Sequence, residues 1–117
     1  MLRLWRATLN SWNGLRTAAR SEQAFREEIV ALVLAVPAAF LVATETWRRA
    51  ALIGVVLLLM IVELLNTAIE KLSDHVTPHH HDAIGRIKDM SSAAVGLALL
   101  LCGLVWLLAL AERVGLI

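Results

Sequence analysis

Apolar residues dominate three stretches of the chain, and each is read as a helix. The first, IVALVLAVPAAFLVA from Ile29 to Ala43, is short for a bilayer. It reaches about 19 residues only when extended to Trp47, so a span over residues 29–47 is predicted, with Pro37 tolerated as a local kink. The second span, 50–70, begins with Ala50 and accommodates Glu63 and Asn66 near its end. The third, 91–111, reads SSAAVGLALLLCGLVWLLALA almost without polar interruption. Only TETWRR separates the first two, which predicts a tight antiparallel hairpin with Trp47 at an interface.

A different pattern precedes the spans. Leu2, Trp5, Leu9, Trp12 and Leu15 recur every three or four residues, whereas Arg3, Arg6, Asn10 and Asn13 fall largely elsewhere. Residues 1–26 are therefore expected to form an amphipathic helix lying in the headgroup plane. The segment lacks the continuous apolar core of a signal peptide, so no cleavage is expected. Residues 71–90, KLSDHVTPHHHDAIGRIKD and Met90, read as a polar cytoplasmic loop containing Pro78 and Gly85. The fold class is all-α and membrane-integral, in one small domain spanning 1–117.

Composition agrees: 59% of the 117 residues are apolar and 18% charged. A formal net charge of +1, with basic residues dispersed among acids, gives no nucleic-acid footprint. Eight Lys and Arg residues fall in the N-terminal segment and the 71–90 loop, against Arg48, Arg49 and Arg113 on the other side. The positive-inside rule then puts the N-terminus and that loop in the cytoplasm. Cys102 stands alone in an apolar run and reads as a packing residue, as do Met60 and Met90, while Trp106 packs or meets lipid.

The chemistry concentrates where the second span ends. In ELLNTAIEKLSD, Glu63, Asn66 and Glu70 are three and four residues apart and share one helix face, with Asp74 a further turn along. An acid at mid-span costs roughly 2.5 to 3.5 kcal/mol, less near the interface, so the stripe requires a partner or a task. Interhelical hydrogen bonding in an oligomer is one such task. A site is the other, since Arg86, Lys88 and Asp89 lie at the same end. Neither GxxxxGK[ST] nor the protein-kinase signatures occur, so any use of ATP must meet the needs of phosphoryl transfer differently. Three consecutive histidines, His79 to His81, converge poorly on one ion, and a solvated loop is the better reading than zinc.

SWNGLRTA, EQAFREE, MIVELLNTAIEKLSD and GRIKDMSSAAV together resemble the prokaryotic diacylglycerol kinases, over roughly residues 3 to 106. The resemblance implies a homotrimer of three-span protomers with active sites shared between neighbouring subunits, in the bacterial inner membrane. It implies ATP, Mg2+ and diacylglycerol as reactants and cofactor. Catalysis would fall to Glu63 as base and Asn66 beside it, with Lys88 on the phosphate chain supported by Asp89. Glu22 and Glu70 would hold magnesium. Arg3, Asn10, Ser11, Trp12, Asp74 and Gly85 match positions near nucleotide or lipid. Asn10 stands where some members carry an aromatic residue, and Ser91 where some carry glycine; neither difference is expected to touch the chemistry. A branch of the family phosphorylates undecaprenol, leaving that substrate as the alternative, and a non-enzymatic oligomeric scaffold is the reading from another class.

Overall fold

A computed structural model describes residues 1–79 and 81–117, and nearly all of them are helical. The elements are α1 (Leu2–Ser21), α2 (Gln23–Val42), α3 (Thr46–Val76) and α4 (Asp82–Arg113). Two of these, α3 and α4, are long and apolar enough to cross a membrane, and most of their apolar surface faces outward. That inversion is what a lipid solvent permits and water does not.

Helix α1 forms where the amphipathic repeat predicts a helix. Leu2, Trp5, Leu9 and Trp12 are exposed along one side, with only Ala18 buried at its end. Its hydroxyls are spent locally: Thr8 and Ser11 each donate to the carbonyl four residues back, at 2.9 Å. The helix stops earlier than 26 because Glu22 is extended, at φ −115° and ψ 112°. Arg26 stabilises the break by donating from one guanidinium nitrogen to the carbonyls of Ala19 and Arg20, at 3.1 and 2.9 Å. A cation on the last carbonyls of a helix satisfies acceptors that have no partner within it.

Helix α2 runs through Pro37 and ends at Val42, short of the expected Trp47. Two guanidiniums take carbonyls at its end: Arg49 Nε donates to Ala43 O at 2.8 Å and Arg113 Nε to Leu41 O at 3.2 Å. Arg49 also lies over the Phe40 ring, 4.4 Å from its centre. Trp47 instead opens α3 and is exposed. The polar TETWRR segment is therefore a brief extended link followed by a helix start.

The largest departure from expectation lies in residues 71–90. Helix α3 continues to Val76 and α4 begins at Asp82, so only 77–81 separates them. Polarity there marks emergence from an apolar solvent, not irregular backbone; the first helix breaker after Glu70 is Pro78. His81 caps α4, its Nδ1 accepting from the Ala83 N–H at 3.2 Å. The role of His80 lies outside the described residues. At 31 residues, α3 is about 46 Å long, more than a hydrocarbon core of about 30 Å requires.

Two small apolar clusters hold the helices together. Ala18, Phe25 and Met60 meet at the end that carries the acids, flanked by Ile29, Leu32 and Leu64. Ala39, Ala43 and Leu52 pack at the opposite end with Ile53, Val105 and Trp106. Trp106 Nε1 donates to Leu52 O at 3.0 Å, so this indole is a packing group with its polar atom satisfied. Met60 packs as expected; Met90 is exposed instead.

Candidate functional site

The polar stripe on α3 is assembled from three helices. Asn66 is buried, and both ends of its amide are engaged. Its Nδ2 donates to Glu70 Oε1 at 3.3 Å, one turn further along α3. Its Oδ1 lies 2.7 Å from the hydroxyl of Ser91 on α4. The same hydroxyl lies 3.0 Å from Lys88 O, so its one proton is shared between two acceptors. A buried amide left half-satisfied would cost about 1 to 3 kcal/mol, which is why this position needs Ser91.

Glu63 lies one turn before Asn66, within repulsive range of both Glu70 and Glu22. Glu22 enters from the extended joint between α1 and α2, which turns it toward α3; its Oε1 is 3.0 Å from Lys71 Nζ. Glu28 is a further acid near this group: it repels Glu63, and its Oε1 is buried without a hydrogen-bond partner among the described residues. On the water-facing continuation, Lys88 of α4 forms an ion pair with Asp74 of α3. Gly85 sits in the first turn of α4, just before Lys88.

The expected residues thus divide into two groups. Glu22, Glu63, Asn66 and Glu70 come together, and Asp74 and Lys88 pair beside them through the α3–α4 contact. Ser11 lines a cleft of about 640 Å³ between α1 and α3, with Gly14, Glu22, Leu64, Thr67 and Lys71. Trp12 faces a different, apolar groove with Phe25, Ile29 and Met60. Among the described residues, no hydrogen bond or ion pair draws Arg3, Asn10 or Asp89 to the acids, and all three are exposed.

Three contributors escape the sequence pattern. Ser91, noted in the sequence only as a departure from the family pattern, is bonded to Asn66. Arg26 holds the α1 end that delivers Glu22, and a basic residue four positions after a helix break was its only signal. Lys71, counted only for topology, touches Glu22.

The donor set also bears on a metal. Among the described residues, no three His, Cys, Asp or Glu side chains converge on a common point. Magnesium needs no such cluster, because it keeps waters and takes one or two carboxylates together with phosphate oxygens. Glu22 and Glu70 are oxygen donors that both act electrostatically on Glu63.

Acids with an amide and lysines, set where two apolar helices emerge, are arranged for chemistry between a lipid and a polar reactant. Comparison with known proteins points the same way. The family model described as prokaryotic diacylglycerol kinase matches residues 9–110. A diacylglycerol kinase of Escherichia coli strain K12 is 42% identical over 113 residues, covering 97% of this chain and 93% of that protein. One from Pseudomonas aeruginosa is 41% identical over 104 residues, covering 89% and 85%. One from Haemophilus influenzae is 37% identical over 100 residues, covering 86% and 85%. With a match that runs from α1 through α4 and takes in every residue of the acid cluster, the chain belongs to the prokaryotic diacylglycerol kinase family.

Proposed function

We propose that this protein transfers the γ-phosphoryl group of ATP to the hydroxyl of diacylglycerol, giving phosphatidic acid and ADP at the cytoplasmic face of the bacterial inner membrane. The observation that carries the reading is the gathering of Glu22, Glu63, Asn66 and Glu70 at the end of an otherwise apolar α3. A lipid hydroxyl is confined to headgroup depth, and ATP to water. The base must therefore lie at the end of a membrane helix, with phosphate-binding groups just above it.

Along α3 the order is appropriate. Glu63, the deeper acid, takes the proton of the lipid hydroxyl as its oxygen attacks the γ-phosphorus, and the bond to ADP breaks. Asn66, locked by Ser91, keeps the Glu70 carboxylate oriented. Glu70, about 10 Å further along the helix, and Glu22 would hold magnesium, which when bound would neutralise phosphate charge. Lys88 leaves Asp74 to contact the phosphate chain, with Asp89 beside it and Gly85 leaving room for the nucleotide. Ser11 and Trp12, with Arg3 and Asn10, border nucleotide and lipid on α1.

Three membrane spans per protomer and a homotrimer belong to this proposal. Helix α2 contributes the short first span, and Lys and Arg placement orients it. The apolar clusters of one chain are small, and much of α2, α3 and α4 is without a partner, which favours sites completed by neighbouring copies.

The test is transfer of labelled γ-phosphate from ATP with magnesium to diacylglycerol and undecaprenol in parallel micelles. Label in phosphatidic acid is expected. Label chiefly in undecaprenyl phosphate keeps the chemistry and overturns the substrate. Label in neither, from a verified folded oligomer, overturns the enzyme reading in favour of a scaffold.

A further inference from the structure

Lys71 follows Glu70 directly on α3, and about 100° of helix rotation separates their directions. The two side chains therefore part: Glu70 accepts from the Asn66 amide, while Lys71 reaches sideways to Glu22. Its ammonium lies 3.0 Å from Glu22 Oε1, with Lys71 61% exposed and Glu22 29%. Glu63 is repelled by both Glu22 and Glu70, and among the described residues Lys71 is the one cation in ion-pair contact with any of the three. The contact also bridges two separate elements, tying the α1–α2 joint to α3.

We propose that Lys71 is a resident counter-cation for Glu22, which a divalent ion must displace before that carboxylate can serve as a ligand. The proposal rests on the reading of Glu22 and Glu70 as the metal-holding pair. One ammonium and one divalent ion compete for the same oxygen. While Lys71 occupies it, the acids take up a lone divalent ion less readily, and charge at the joint stays balanced between turnovers. An ion pair this exposed is weak, so the competition is a modest tax on metal binding and not a block.

Manganese binding to the full-length, detergent-solubilised oligomer, without nucleotide or lipid, tests this directly. Loss of the free Mn2+ electron paramagnetic resonance signal would be titrated for wild type, Lys71→Met, Lys71→Arg and Glu22→Gln. Lys71→Met should tighten binding about 1.5- to 5-fold, matching the usual strength of an exposed pair, and Lys71→Arg should stay near wild type. Glu22→Gln should weaken it. Unchanged or weaker binding in Lys71→Met, with Glu22→Gln still weakened, overturns the counter-cation alone. Tightening in Lys71→Arg equal to that in Lys71→Met also overturns it, because the charge would then be irrelevant. No loss in Glu22→Gln overturns the metal assignment and the proposal with it.

Discussion

The Ser91 hydroxyl on α4 lies 2.7 Å from Asn66 Oδ1 on α3, and this contact decides which way the buried amide points. With the oxygen engaged by a donor, only the amide nitrogen can face Glu70. Ser91→Ala should therefore cost about 1 kcal/mol of stability and allow the amide to rotate. Turnover should fall several-fold, with little change in KM for ATP. A variant with wild-type kcat would show that the amide orientation is irrelevant to phosphoryl transfer.

Glu63→Gln removes the proposed base while keeping the volume and polarity of the side chain. A positioned general base contributes about 10²- to 10⁴-fold, so kcat should drop by that order. Thermal stability should be retained or improved, because Glu63 is repelled by Glu70 and Glu22. A variant that keeps wild-type turnover would move the base elsewhere.

Arg26→Ala leaves the carbonyls of Ala19 and Arg20 without their shared cation. Both groups are exposed and water can replace the donor, so global stability should change by less than about 1 kcal/mol. The local effect should be larger: limited proteolysis near Glu22 should quicken, and KM for ATP should rise with Glu22 less well placed. Unaltered cleavage would mean that the α1–α2 packing alone fixes the joint.

Among the described residues, Glu28 has a buried carboxylate oxygen without a partner, and it meets the like charge of Glu63. Glu28→Gln supplies a donor and removes a charge, and should raise stability by about 1 to 3 kcal/mol. Chemical or thermal unfolding of the micellar oligomer reads this out. If the substitution destabilises the protein, the acid has a partner in the assembled oligomer.

Period and spacing made much of this architecture legible in advance. The amphipathic repeat of α1 and the shared face of Glu63, Asn66 and Glu70 are local properties, fixed within two helical turns. The helical character of residues 71–76 and 82–90 was not legible, because hydropathy reports solvent and not backbone conformation. Ser91 and Lys71 were missed for another reason: their partners, Asn66 and Glu22, lie on other helices, and pairing across helices leaves no periodic trace. Among the described residues, neither Arg3, identified by resemblance, nor Asp89 is bonded to the acids, and both are exposed.

Between Glu63 and Asp74, α3 contains neither proline nor glycine, so it behaves as a stiff rod whose deep and shallow groups move as one. Bending it to admit a lipid would break the alignment between proton acceptor and phosphate-binding groups. Entry and exit must then fall to an element that can swing without disturbing that register. Helix α1, which lines the cleft beside Lys71 and joins α2 through the single extended residue Glu22, lies outside that rod.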